Sequence, residues 1–597
     1  VAKANRLQIL AEQSTAALQA PRRRLEPAIL YRFLAVGVGL TAALISLLRM
    51  EWRRWCFINV SYYLLLVLGV TACAVLGRFL LQSWATLSRP YRRTAVISAA
   101  VLVAVVLCMV SREYRVLSDE TNLVAVSKSL ARSHTAIADI MGFWYYDNFW
   151  PQVSLIDKRP LLYPFLVSVL HSVSGYRSEN AFFLNAIVLW ALLSLSYLIF
   201  GARSWKFGVA SQLLILSQPV VVLGAVSAGF DLLNCFLMIV TLLVTLYHFR
   251  LGSDESFRAW LVSLALLAQT RYESSLISVV IVGLAIGLRK VSYRQIRDNS
   301  MLILLLALLS LPLIWQSTVK WDAQMFEMAQ GGKPFGWKYV VPHVRGMLRA
   351  LFVPDPALPY NQWLDLAALG AIGLWLAARR TGPRLTREDW ASGILCGGAV
   401  ACQFGLVLAY YFGDAVHPAS ARFFMLPAVA LAVAPLIFGR RATARLPRAR
   451  RDATPVWGAN AALTLGALAC LIALPISEEN RFYHTMTTPR EARVIDRFLR
   501  EHGRHDVLMV TDRPGQLTPD DYGAVDFGYA RGHSGQLLEN LQRHLFQNIY
   551  TAQWIDYDTR QPPGDQVLPV SWHLVPVLEI QTDAAHFMRI SRVDNVR

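Results

Sequence analysis

The chain has 597 residues, 55% of them hydrophobic and 16% charged, with a mean hydropathy of +0.38. Apolar stretches of roughly 20 residues, enough to cross a bilayer, recur along most of its length, which excludes a soluble multidomain protein and predicts a polytopic α-helical membrane protein. The formal net charge of +18 would suit a nucleic-acid binder, but the arginines gather in short loops between apolar runs, as in "LRKVSYRQIRD" (288–298), "ARRTGPRLTRED" (378–389) and "GRRATARLPRARRD" (439–452). That pattern sets the topology of a membrane protein, and no nucleic-acid partner is expected.

In chain order, residues 1–28 read as a cytoplasmic amphipathic and basic N-terminus, with "PRRR" ahead of the first long apolar run and no cleavable signal peptide. Spans are expected near 29–48, 58–82, 94–110, 181–200, 207–223, 231–249, 258–270, 274–288, 300–317, 363–378, 391–412, 422–438 and 457–475, about thirteen helices in all. With the N-terminus cytoplasmic, nearly all the basic loops fall inside; "RMEWRRW" (49–55) is the exception. Two outer loops, 111–180 and 318–362, then join a tail, 476–597, on the opposite face. The tail alternates helical segments ("PREARVIDRFLREHGRHD", "SGQLLENLQRHLFQNIY") with strand-like ones ("VLMVTD", "FMRISRV"), the pattern of a small periplasmic α/β domain. The seven cysteines all lie in apolar runs, without the spacing of a disulfide framework or a zinc site.

The loop 111–180 carries most of the chemistry. It opens with "LSDETN", containing Asp119 and Glu120, and continues through the helical "LVAVSKSLARSH". The next stretch, "MGFWYYDNFWPQ", puts Trp144, Tyr145, Tyr146, Phe149 and Trp150 where interface anchors would sit. The loop closes with "IDKRPLLYPFLVSVLHSVSG", too short for a span once Pro160 starts it and read as an interfacial or re-entrant helix.

An acidic residue after an early membrane helix, an amphipathic helix, and then Arg159-Pro160-Leu161-Leu162-Tyr163-Pro164 together resemble the first outer loop of the GT-C glycosyltransferases. The similarity is to the branch of protein mannosyltransferases and aminoarabinose transferases, the glycosyltransferase family 39-like group. Three further matches follow in order: Asp231 opening "DLLNCFLMIVTLLVTLYHF" at the place of the second acidic site, Arg271 in "ALLAQTRYESSLISVVIVGLAI", and Arg422-Phe423 in "HPASARFFMLPAVALAVAPLIF", where the family has Arg-Tyr. The resemblance covers roughly 110–440 and leaves the tail to architecture alone.

It implies a GT-C fold, with juxtamembrane helices on the outer face, in a bacterial inner membrane. It also implies transfer of a sugar from a polyprenyl-phosphate donor to a membrane-associated glycan, lipid or protein acceptor on the periplasmic face, with inversion. Asp119, Glu120 and Asp231 are the catalytic candidates. Attack at the sugar carbon needs a carboxylate to take the acceptor's proton, and Asp119 is the expected base. Arg159, Tyr163, Arg271, Arg422 and His417 are the candidates for holding the donor phosphate and lipid, arginine being suited to bidentate phosphate contact. Plainer readings stand beside these: Asp231 as a helix cap, Glu273 neutralising Arg271, and Arg159 snorkelling to headgroups. No cofactor is expected. A divalent metal is left open but not predicted: some GT-C enzymes use one, whereas two adjacent acids without a nearby histidine or third carboxylate make a poor closed site. The alternative from another class is a transporter or flippase for a lipid-linked anion, which would keep its charges near the bilayer midplane.

Overall fold

The structure, a computed structural model, describes residues 49–146, 148–202, 204–319, 334–379, 387–443, 454–480, 487–503, 505–583 and 585–594. The expected N-terminal segment 1–28, the span 29–48, much of the basic loops 379–390 and 439–456, and part of the 318–362 segment with Lys333 lie outside these residues.

Among the described residues eight helices are long and apolar enough to cross a membrane: α1 (Met50–Ala85), α2 (Arg89–Met109), α5 (Asn180–Phe200), α8 (Asp231–Leu251), α11 (Ser300–Val319), α14 (Arg387–Ala409), α15 (Met425–Thr443, entered through the 3₁₀ turn Ala421–Phe424) and α16 (Thr454–Glu479). A ninth is broken: α6 (Trp205–Leu216) and α7 (Pro219–Ala225) meet at 81°. The break has a local cause. Pro219 lacks an N–H and disfavours the helical conformation in the residue before it, and Gln218 is extended. Gln218 then ties the elbow to α13 (Gln362–Arg379), its Nε2 donating to Asp365 Oδ1 at 2.8 Å.

Helices also form at the expected 258–270 and 274–288 but are shorter than these eight, and at 363–378 the apolar part of α13 runs only from Gln362 to Leu376. Both α9 (Asp254–Ala268, 15 residues) and α10 (Tyr272–Gly287, 16 residues) reach only about 24 Å at 1.5 Å per residue, less than a hydrocarbon core. The sequence estimate of about thirteen spans counted apolar runs; length admits eight, or nine with the broken pair, among the described residues.

The loop 111–180 folds into α3 (Leu117–Arg132), a hairpin of β1 (Ala138–Tyr145) and β2 (Asn148–Leu155), and the short α4 (Leu162–Ser174). In the 318–362 segment, α12 (Trp337–Phe352) is amphipathic, exposing Trp337, Val341, Leu348 and Phe352 while His343 turns inward to donate to the Leu408 carbonyl at 2.9 Å.

The tail comprises α17 (Thr487–His502), β3 (Val507–Val510), β4 (Gly523–Val525), α18 (Phe527–Gly532), α19 (Ser534–Gln542), β5 (Asn548–Asp556), β6 (His573–Gln581) and β7 (His586–Asp594). "SGQLLENLQRHLFQNIY", expected to be helical throughout, leaves the helix at Gln542 and enters β5 at Asn548. The sheet has seven strands in the order β2-β1-β4-β3-β5-β7-β6, parallel where β3 meets β4 and β5 and antiparallel elsewhere.

Two of those strands come from the loop 111–180, which corrects the anchor reading for Trp144 and Tyr145; Tyr146 and Trp150 stay exposed. Phe143 packs into the domain core with Phe546 and Leu537, and Trp144 stacks on His505 at 3.9 Å and donates to the Asp521 carbonyl at 2.8 Å. Gly142 is required by close approach: a Cβ there would lie 2.6 Å from the Trp150 carbonyl oxygen and 2.5 Å from the Phe149 ring. The sheet is therefore built from two separate parts of the chain, residues 138–155 and 507–594.

The sheet domain grips α3. Lys128, buried, pairs with Asp521 at 2.8 Å and donates to the Thr518 carbonyl at 2.9 Å, while Tyr176 donates to the Pro519 carbonyl. Removing one partner of a buried pair strands the other, at a cost of about 3 kcal/mol. Lys128→Met is expected to speed hydrogen exchange across β3, β4 and the end of α3, with the spanning helices unchanged. Equal exchange would mean that the pair does not hold the domain in place.

Candidate active site

The first turn of α3 begins where the extended segment 111–116 bends into helix. Glu120, in that turn, is buried at 1% exposure, and its Oε2 accepts from two backbone amides, Arg115 N and Ala228 N, each at 2.9 Å. From the other side Asn185 Nδ2 donates to the Ser227 and Gly229 carbonyls at 2.7 and 2.8 Å. The loop 226–230 is thereby clamped, and α8 starts straight after it at Asp231, whose carboxylate suits the positive end of the helix dipole. Glu120 was expected among the catalytic carboxylates; its two amide contacts tie the first turn of α3, which carries Asp119, to the loop ahead of Asp231.

Around these two aspartates the charged side chains alternate. Arg159 pairs with both Asp157 and Asp119; Arg422 pairs with Asp119 and lies 3.5 Å from Asp231; Arg271 pairs with Asp231 and contacts Glu273 at 3.3 Å. The row runs Asp157, Arg159, Asp119, Arg422, Asp231, Arg271, Glu273, four acids and three arginines drawn from well-separated parts of the sequence. Its members lie at helix ends: Asp119 in the first turn of α3, Asp231 at the start of α8, Arg271 just before α10, and Arg422 in the 3₁₀ turn before α15.

Arg159 and Arg271 are fixed by their surroundings. Arg159 sits on a tight turn in which its own N–H donates to Asp157 at 3.1 Å, and Gln316 of α11 donates to the Asp157 and Arg159 carbonyls at 2.8 and 2.6 Å. Arg271 lies between two rings, Phe230 at 5.1 Å and Phe423 at 4.6 Å from its guanidinium carbon. Asn234, one turn after Asp231, accepts from Thr270 and Ser274 at 2.6 and 2.5 Å and pins α8 to the start of α10.

Two expected ligands point elsewhere. Tyr163 is fully buried, and its hydroxyl donates to the Ala181 carbonyl at 3.0 Å, so it fastens α4 to α5. His417 is exposed, and its Nδ1 accepts from Ala419 N at 3.2 Å, closing the turn that leads to Arg422. Among the described residues no group of three or more His, Cys, Asp or Glu side chains is arranged to hold a metal ion.

No family model matches the chain, and no curated protein matches it. Among solved structures, the chain is similar to ArnT from Cupriavidus metallidurans bound to undecaprenyl phosphate, at TM-score 0.47 and 15% identity over 84% of this chain and 97% of that one. ArnT from the same organism in the apo state is similar at TM-score 0.47 and 14% identity, over 84% and 97% of the two chains. The arabinofuranosyltransferase AftD from Mycobacteria is similar at TM-score 0.39 and 15% identity, over 85% of this chain and 40% of that one.

The sequence reading passed over Asp157, which orients Arg159. A signal was present: an Asp two residues before Arg159 in "IDKRP" can accept from its backbone N–H as an Asx turn. Arg115, buried with its guanidinium donating to the Pro418 carbonyl at 3.4 Å, had no such signal, because its partner lies about three hundred residues away.

The fastening role of Glu120 can be tested by comparing two substitutions. Glu120→Ala leaves two buried N–H groups without an acceptor, a loss of about 2–6 kcal/mol at 1–3 kcal/mol each, read as a lowered unfolding temperature. Glu120→Gln keeps an oxygen for both bonds and should retain fold and activity; abolished activity in a folded Gln variant would make the carboxylate itself catalytic. Burial pushes the Glu120 carboxyl up from 4.5 to about 7. With the folded value above the unfolded one, the native state holds the proton longer, so this group's contribution falls as pH rises from 4.5 to about 7 and is level beyond. Glu120→Gln should remove that slope from the unfolding profile.

Proposed function

We propose that this chain is a GT-C-type glycosyltransferase that moves a sugar from a polyprenyl-phosphate donor to an acceptor hydroxyl, with inversion, on the periplasmic face of a bacterial inner membrane. The observation that carries the reading is the position of Asp119 between Arg159 and Arg422, with Asp231 and Arg271 next in the row. These are residues of the four motifs that carry the family resemblance, met in one site. Their location at helix ends favours chemistry at a membrane face over passage through the midplane.

The proposed step balances as follows. The acceptor oxygen attacks C1 of the sugar from the side opposite the phosphate, and the C1–O bond breaks. The electron pair leaves on the polyprenyl phosphate, and the acceptor's proton goes to Asp119. Without donor, both guanidiniums beside Asp119 are occupied by its carboxylate. An arriving phosphate competes for Arg159 and Arg422 through stronger, bidentate contacts, and so frees Asp119 to accept a proton. Donor binding and activation of the base are in this way one event. Asp231, paired with Arg271, sits on the other side of Arg422 from Asp119.

The test is transfer by the purified protein in proteoliposomes, given a panel of radiolabelled polyprenyl-phosphate sugars and envelope glycan, lipid and protein acceptors. Label should move to an acceptor with its anomeric configuration reversed. Label that crosses the bilayer still attached to its lipid, with no transfer from any donor, would mean a transporter instead.

A further inference from the structure

A solvent-open cavity of about 430 Å³ lies away from the charged row, between the segment leading into α3 and helix α17 of the sheet domain. Leu117 lines it, whereas Asp119, two positions on, points to the opposite side of the first helical turn, since successive residues are about 100° apart. The cavity is thus close to the candidate site along the chain but separate from it.

Its lining is of mixed charge, and the charges fall into two groups. Arg493 pairs with Glu113 at 3.3 Å and Arg500 with Asp496 at 3.0 Å, forming neutral walls. Arg112 and Arg497 also line it, and both are exposed and form no ion pair among the described residues, Arg112 lying 5.5 Å from the Phe183 ring. They come from opposite sides, one from each domain. Glu179 and Asp520, whose carboxylates accept hydrogen bonds, and the Tyr114 and Phe182 rings also line it. Acceptors for hydroxyls, aromatic surface, and two cations without carboxylate partners together fit a sugar bearing an anionic group. They do not fit a polyprenyl tail, which needs a continuous apolar channel.

We infer that this cavity binds an anionic sugar unit of the acceptor, remote from the hydroxyl that reacts. The inference rests on the proposed transferase function, and it gives the sheet domain a part in substrate recognition, with α17 supplying one wall of the binding surface.

The experiment reads equilibrium binding by the full chain in nanodiscs, without turnover. The probes are radiolabelled glucose 6-phosphate and glucuronate, with glucose and inorganic phosphate as controls. Wild type should bind at least one anionic sugar saturably below roughly 10 mM, and whichever binds more tightly identifies phosphate or carboxylate as the anion. Binding should persist in Arg422→Ala, which disables the other anion site. It should weaken by about tenfold or more in Arg112→Ala/Arg497→Ala, at an unchanged unfolding temperature. The inference is overturned if the double variant binds as wild type does, if Arg422→Ala alone abolishes binding, if no anionic sugar saturates, or if glucose or inorganic phosphate binds equally well. Because none of these readings needs transfer, a failed transfer assay with intact binding would sink the proposed reaction and leave the site standing.

Discussion

Asp119→Asn is expected to lower sugar transfer by about 10²–10⁴-fold, the contribution typical of a positioned general base, while the protein folds and still takes up its donor. The amide keeps the shape of the carboxylate and one oxygen that can accept from Arg159 or Arg422, so the site should not collapse. A second, opposite effect follows from the geometry. In the wild type Asp119 occupies Arg159 and Arg422, the two guanidiniums proposed to hold the donor phosphate. Neutralising it should tighten binding of polyprenyl phosphate by about tenfold, the size of one charge-assisted hydrogen bond. Lost turnover with tighter donor binding distinguishes a base that competes with phosphate from a residue whose loss damages the fold, which would weaken both. Transfer within about threefold of wild type would remove Asp119 from the reaction.

Arg422→Ala should have a comparable effect through donor and transition state together. Among the described residues Arg422 is the cation that reaches both Asp119 and Asp231, and it is buried at 5% exposure. Its loss leaves each aspartate with one arginine in place of two and, on the proposed mechanism, removes one cation from the departing phosphate. By analogy with the removal of one preorganised donor from a developing anion, transfer should fall by about 10²–10³-fold, with a higher KM for the donor. Arg422→Lys should recover only part of this, because a single ammonium cannot span two carboxylates as a guanidinium fork does. Normal donor kinetics in Arg422→Ala would count against phosphate contact at this position.

The legibility of the site differs from residue to residue. Asp119, Asp231, Arg159, Arg271 and Arg422 stood out because an ionisable residue at the edge of an apolar run is costly without a partner, and the four motifs ranked them in order. The same rule says nothing about where a carboxylate points. Glu120 sits beside Asp119 in the same motif, yet its oxygen is taken by Arg115 N and Ala228 N. Tyr163 lies in the motif with Arg159, yet its hydroxyl serves Ala181. Neighbours in sequence on a helix face different directions, about 100° apart, so a motif identifies candidates without separating reagents from fasteners.

The fold shows the same division. Apolar runs, basic loops and the alternation of the tail were properties of local sequence, and they determined a polytopic helical protein with an appended α/β region. Hydropathy could not tell a helix that crosses the bilayer from the shorter α9 and α10, nor foresee the 81° elbow at Pro219. It took the aromatic stretch at 141–152 for an interface anchor, because the partner strand of β1, with Ala524 opposite Gly142, lies almost four hundred residues downstream. What the sequence determined by itself was which residues are too costly to leave unpartnered in an apolar chain. Only the tertiary structure decided how they pair, since the row from Asp157 to Glu273 exists where the ends of α3, α8, α10 and the turn before α15 converge, and no local pattern records that convergence.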